Sequence, residues 1–471
     1  MRRTWTWLLV FTLATVFVAP PTFFWMRRGS EAADAQLALS SAIAETGQTD
    51  PVWNWAALHP RTTDPVNSVG ELLNEFGNEG WSQHQQPEER LDFLFDRMQA
   101  MQENHQATPQ MLEYIDESLS RLSRPLEQML QLPQRVPSQP ACQVQPGDSI
   151  LFPPACIGLR YVSRMLRAHI LRQAMRGETD AAINDLQSLH RAMDSLNQDA
   201  ILVSQLLHQS VLQESVRMME RILGQLKTPA DLRDIQAWYE ARLLDKPVVT
   251  AMRGERAWWH AMFDAVEQDR LSIDHMLCMQ TPNQTQMPTV LESFRLRPRL
   301  PHNHADMLRW HNSIIEIAQL PIHDQRRAFR MYDSPASPYA HAGIAAIYKH
   351  SYETILNATQ STHTITACMV VALACERYRQ DYHKWPENLA ELMPHYLKAI
   401  PIDPIGGQPI RYVRVVEGAI IYGVGFDLMD NEGNLTDYRF TESTDLGIRI
   451  WNLEERAMPA PPSTTQTPGF R

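Results

Sequence analysis

Apolar residues recur at helical spacing along most of the chain. From Ile157 to Leu226 they return at three- and four-residue steps through "LRYVSRMLRAHILRQAM", "AAINDLQSLHRAMDSL" and "ILVSQLLHQSVLQESVRMMERILGQL". The first two runs meet at Arg176-Gly177-Glu178, which predicts an αα-hairpin, and the third adds a helix. "TPADLRDIQAWYEARLL" opens with a Thr cap and a Pro in its first turn, and "VVTAMRGERAWWHAMFDAVEQDRL" follows it. Upstream, helices are predicted in "GSEAADAQLALSSAIAETGQ", in "PEERLDFLFDRMQAMQENH" and from Pro109 to Leu132. Residues 133–155 hold six prolines and read as a long loop, and 279–303 is a second proline-bearing connection. Helices resume at His304 and run to Tyr382. The last has Ile365, Cys368, Met369, Ala372, Cys375 and Tyr382 on one face, with Glu376, Arg377, Gln380 and Asp381 elsewhere.

The period changes near residue 400. "IPIDPIGGQPIRY" (Ile400–Tyr412) carries three prolines and two glycines, with an extended-to-turn step at Asp403-Pro404 and a turn at Gly406-Gly407. "PIRYVRVV" and "AIIYGVG" are β-rich runs joined at Glu417-Gly418, a hairpin signal, and "GIRIWNL" offers a third strand. The fold class is therefore mainly α: an irregular helical bundle or solenoid-like body ahead of a small C-terminal α+β unit, a helix with an antiparallel sheet. The expected division is 1–28 as a membrane anchor, 29–155 as a helical region with the Pro-rich loop, and 156–360 as the bundle. The α+β module takes 361–455 and a disordered tail takes 456–471.

The anchor is read from Thr4 to Met26, 23 residues without charge, between Arg2-Arg3 and Arg27-Arg28. At ~1.5 Å per residue that span crosses a hydrocarbon core of ~30 Å. Trp5, Trp7, Phe24 and Trp25 lie at its ends, and Pro20-Pro21 follow the best small-residue cleavage point, Ala19, which favours an uncleaved signal anchor. The arginines nearly tie in the charge count, and the free amino end tips the N-terminus inside. The expectation is a single-pass inner-membrane protein held through residues 4–26, with an extracytoplasmic body.

Charge narrows the partners. The 471 residues carry a formal net charge of -11, so a non-specific grip on nucleic acid is excluded. No G-x-S-x-G, P-loop, CxxC or zinc-spaced Cys/His array is present, and the sequence points away from an enzyme and from any resident organic cofactor.

The residues from Ala374 to Asn434 resemble the C-terminal module of the major pseudopilin of type II secretion. The resemblance is carried by Tyr378, Tyr382, Pro386, Leu389, Leu392, Tyr396, Leu397, Pro401, Asp403, Pro404, Gly406, Pro409, Tyr412, Tyr422, Gly425, Asp427, Asp430 and Gly433. It covers about 60 residues and implies a helix, a Pro/Gly turn and a small sheet. The start of the chain departs from that family: in "VFTLATVF" Val10 stands for the cleavage-point Gly and Thr15 for the glutamate, and Pro20-Pro21 would interrupt the helix. The whole layout is similar to uncharacterised membrane-anchored bacterial proteins. It implies a structural or protein-binding module at the cell envelope, offering its helical body to a protein partner. The alternatives are an accessory component of a secretion or pilus-like system, and an envelope enzyme with a site in the bundle.

Four groups are candidate sites. Asp427, Asp430, Asn431, Glu432 and Asn434 offer hard oxygen donors for calcium, an ion the resemblance also implies. Cys142 and Cys156 flank a 13-residue loop that a disulfide would close in an oxidising compartment, whereas Cys368 and Cys375 are core residues. His302, His304 and His311 gather near Asp306, where metal competes with ordinary capping or surface roles. Arg253, Glu255, Arg256 and His260 form either a polar pocket or a buried Arg–Glu pair that fixes helix packing.

Overall fold

The structure, a computed structural model, describes residues 19–60, 63–78, 102–148, 152–273, 276, 297–332, 342–435 and 444–460. Among them are α1 (Ala19–Thr49), α2 (Trp55–Leu58), α3 (Val69–Asn78), α4 (Pro109–Ser120) and α5 (Ser123–Leu130). The central body follows as α6 (Pro154–Met175), α7 (Thr179–Leu196), α8 (Leu202–Gln225), α9 (Arg233–Arg242) and α10 (Pro247–Glu267). Then come α11 (Leu300–Gln319), α12 (Ile322–Met331), α13 (Ala342–Tyr382) and the strands β1 (Arg411–Val415), β2 (Gly418–Gly423) and β3 (Leu446–Trp451). The mainly helical class and the small antiparallel sheet are as the residue periods predict.

The hairpin forms as expected. Pro154 opens α6 where a missing N–H does no harm, and Gly177 turns the chain into α7 at a φ of 80°. Helix α8 lies against both, and the largest apolar core runs without a break from Val69 on α3 to Ile450 on β3. A second cluster joins α1 to α10 and α11 through Leu39, Ala42, Phe263 and Leu308, and a third joins α10, α11 and α13 through Met252, Ile314 and Tyr352. Close approach is built in at Gly254 on α10, where an added Cβ would stand 1.6 Å from the Ala200 carbonyl oxygen. Backbone cannot yield as a side-chain tip does, so Gly254→Ala is expected to cost about 1–3 kcal/mol, read from a urea denaturation midpoint.

The sheet has the order β1-β2-β3, antiparallel throughout, with Tyr412 opposite Ile421 and Ile421 opposite Ile448. One face of it packs on α13. The outer edge of β3 is closed by α8: Arg449 N–H donates to Glu220 at 2.9 Å, and Arg217 donates to the Gly447 carbonyl at 3.1 Å. Asp403 ties the Pro/Gly turn to the rest, its buried carboxylate accepting from Thr364 Oγ1, Ile405 N, Gly406 N and Val424 N at 3.0–3.1 Å.

Four expectations change. Helix α13 is not one-faced: every residue from Thr359 to Glu376 is buried, because the sheet covers one side and the helical body the others, while Tyr382 is exposed. The boundary expected at residue 361 falls inside this helix, and the core is continuous across it. The tail does not begin at 456, since Arg456 is fully buried and Ala457 and Met458 hydrogen-bond Gly224 and Asn104. Pro20 and Pro21, expected to interrupt a helix, lie within the helical stretch described from Ala19 to Thr49. The expected anchor lies mostly in residues 1–18, outside the described residues, and no helix of the described residues is long and apolar enough to cross a membrane.

Candidate functional site

A cleft of about 280 Å³ opens between α6 and α8, and charge of both signs lines it. Arg167 comes from α6, Glu214, Arg217, Glu220 and Arg221 from α8, and Glu103 from the segment ahead of α4. On α8, Arg217 and Glu220, then Arg221, lie three and four residues apart and so share a helix face. Arg217 Nη1 donates to Glu220 Oε2 at 2.7 Å, and Arg221 Nη1 donates to the Gln102 carbonyl at 3.2 Å. Arg167 Nη1 stands 4.0 Å from Glu214 Oε1. Burial raises the Glu220 carboxyl above the usual range, Arg217 works against that shift, and Glu103 adds to it. Burial also raises Glu214, opposed first by Arg167 and then by Arg164. A cleft in which buried carboxyls sit among guanidinium groups is suited to holding a charged, hydrogen-bonding guest. None of these residues stood out in the sequence, where α8 reads as an ordinary amphipathic helix.

The histidines expected to cluster are divided. His311 Nδ1 is turned to the Met307 carbonyl of its own helix, at 2.9 Å. His304 faces the other way, with Nδ1 3.0 Å from Glu267 Oε1 and Nε2 2.8 Å from His260 Nδ1. A Glu267 carboxylate accepts from His304 Nδ1–H, so His304 Nε2 accepts from His260 Nδ1–H. That tautomer leaves His260 Nε2 as the lone-pair nitrogen. Trp53 lies against the His260 ring and Phe263 stacks on His304. Burial, then the neighbouring His304, lowers the His260 pKa to about 4. Among the described residues no group of three or more His, Cys, Asp or Glu side chains is arranged to hold a metal ion.

The expected Arg–Glu pair is an Arg–Asp pair. Arg253 donates twice to Asp50 at 2.8 Å, and Arg256 donates to Asp50 and, at 2.8 Å, to Asn312. The partner arrives from just beyond α1, while Glu255 points away toward Trp259 and Ser351, and burial raises it to about 7.

Cys142 and Cys156 are separate thiols in the structure. Cys142 Sγ donates to the Val144 carbonyl at 3.4 Å, and Cys156 Sγ shares a hydrogen bond with Ser204 Oγ at 3.0 Å. Burial pushes them to about 11 and about 12, which leaves little thiolate to start a bond. Mass spectrometry of unreduced peptides reads whether an oxidising compartment joins them. Cys368 and Cys375 are core residues, and Cys278 lies outside the described residues.

In the acidic loop, Asp430 pairs with Arg411 at 2.9 Å and accepts from Tyr422 OH and Glu432 N–H. Asp427 accepts from Met429 N–H at 3.0 Å and from the Asn431 amide at 3.4 Å. Asp445, which the sequence did not single out, accepts from Asn431 and Gly433 N–H. Glu432 and Asn434 are exposed at its outer edge. With Asp430 neutralised by Arg411, millimolar calcium is expected to leave the thermal midpoint of the full chain where a chelator leaves it. A calcium-dependent rise that Asp427→Ala abolishes would assign the ion to this loop.

Compared with protein families, curated proteins and solved structures, the chain has no significant match.

Proposed function

We propose that the chain is a membrane-anchored, extracytoplasmic binding module whose recognition surface is the α6–α8 cleft. The observation that carries this reading is the mixed lining of that cleft, arginines and partly buried carboxyls from three separate segments. Such a surface pairs with both signs of charge at once, as an extended polypeptide presents them, and it disfavours partners of one sign. The body would present the cleft and the uncharged N-terminal span would hold it at the membrane. Against the pilus-like alternative stands the start of the chain, where Val10 replaces the cleavage-point Gly and Thr15 the glutamate.

The test is a photo-crosslinking residue at Gln213, which lines the cleft, in the full chain within its own membrane. The expected result is a defined protein adduct that Arg167→Glu removes and that a probe at exposed Val66 does not give. Equal labelling from both positions, or labelling unaffected by Arg167→Glu, would reject the cleft as the surface.

A further inference from the structure

The interior of the helical body is polar where α8 meets α13. Gln205, His208 and Gln209 on α8 lie level with Thr359, Thr362 and His363 on α13, as the 3.5 Å contact from Thr362 Oγ1 to the Gln209 carbonyl marks. His208 is 1% exposed, Gln209 2%, Thr359 0% and His363 3%. Six of their polar atoms have no hydrogen-bond partner among the described residues: both ring nitrogens of His208, His363 Nε2, Gln205 Oε1, Gln209 Oε1 and Thr359 Oγ1. The neighbouring hydroxyls behave differently. Ser361, Thr364 and Thr366 each donate to the carbonyl four residues back. Gln205 donates to three carbonyls at the end of α7.

Leaving six buried polar atoms without partners would offset a large share of the net stability of a folded domain. A core position needing only volume would hold Leu or Met at no such cost. We propose that the α8–α13 seam is a binding site for a small uncharged guest that both donates and accepts hydrogen bonds, with His208 and His363 as its main contacts. Ordered water and a small neutral organic molecule share that chemistry, and a guest there needs roughly two to four polar partners, which the seam supplies.

The charge state of the seam supports a neutral guest. Burial holds His208 at about 3 and His363 at about 4, and each ring would resist a charge on the other. Arg242, whose charge acts on His208, is engaged by Asp194 at 2.8 Å and Asp245 at 3.3 Å, so it does not call for an anion. The site is separate from the α6–α8 cleft and does not depend on that assignment.

The test uses the purified full chain and the double variant His208→Leu, His363→Leu. Water deuteron relaxation dispersion counts long-lived internal waters, and denaturing extraction with mass spectrometry finds any bound organic compound. The expected result is one such signal in the wild type, lost in the variant, with a thermal midpoint that holds or rises. Loss of internal waters identifies water as the guest, and loss of an extracted compound identifies a small molecule. Identical signals in both proteins would overturn the proposal, as would a stoichiometric metal in the wild type. If the double variant does not fold, Thr359→Val and Gln209→Met are read in the same two measurements with the same criteria.

Discussion

Between pH 6.5 and pH 4 the folded chain is expected to lose several kcal/mol of stability. Six imidazoles drive this: His59, His190, His208, His260, His311 and His363, each with its pKa lowered chiefly by burial. Above pH 6.5 neither the folded nor the unfolded chain protonates these rings, and their contribution is fully present. Below it the unfolded chain takes up protons that the folded chain refuses until about 3 for His208 and His311 and about 4 for His260 and His363. Unfolding then binds protons, so acid favours it. Seven carboxyls raised by burial oppose the effect: Glu255, to about 7, and Asp199, to about 6, with Glu220, and by smaller shifts Asp194, Glu214, Asp245 and Asp445. They stay protonated in the fold where the unfolded chain would release the proton, which favours folding on the acid side of those values. Among the groups that shift far, five imidazoles outweigh three carboxyls, and Asp50 and Glu376, held down by arginines, act with the imidazoles. Each net proton is worth about 1.4 kcal/mol per pH unit. Urea midpoints at pH 7.5, 5.5 and 4.5 should fall in that order. A flat series would show that the rings are charged or solvent-paired at neutral pH.

The second large effect is expected at Arg456. Its guanidinium lies fully buried against Glu376, with Nη2 2.7 Å from Oε2 and Nη1 3.1 Å from Oε1. It also donates to the Trp451 carbonyl at 2.8 Å and the Leu226 carbonyl at 2.7 Å, while Arg379 supplies Glu376 with a second cation. Burial pushes the Glu376 carboxyl up, but Arg379 and Arg456 prevail and take it down to about 2. Arg456→Met leaves a buried carboxylate half-paired and two carbonyls without a donor. The expected loss is about 3–5 kcal/mol by chemical denaturation. Replacing both partners, Arg456→Met with Glu376→Leu, should recover much of it, because the charge that needed neutralising is gone. If the double variant is as unstable as the single, the cost comes from packing rather than from the stranded charge.

What was legible in the chain was local. The Arg176-Gly177-Glu178 turn, the switch to a two-residue period after Ile400 and the hairpin at Glu417-Gly418 each lie within a few residues of what they control. Asp403 was visible because its Asp-Pro step and glycines share one short turn. The long-range partners had no such signal. Asp50 meets Arg253 across 203 residues, and Glu376 meets Arg456 across 80. Glu376 sits where helical periodicity assigns solvent, and only the arrival of Arg456 makes its burial tolerable. The cleft escaped for a related reason: Glu214, Arg217, Glu220 and Arg221 have the spacing of any charged helix face, and a groove appears only once α6 lies alongside.

The route of the chain after β3 bears on how the fold closes. After β3 the chain passes between α8 and the 104–106 segment, where Arg456 holds Leu226, Ala457 N–H donates to Gly224, and Met458 bonds to Asn104 and Gln106. These residues come later in the chain than the helices they bond to, so α8 and the 104–106 segment lack these partners until the stretch after β3 has docked. A chain cut before residue 456 would leave the buried Glu376 carboxylate without the Arg456 guanidinium, so the seal over α13 depends on the stretch after β3.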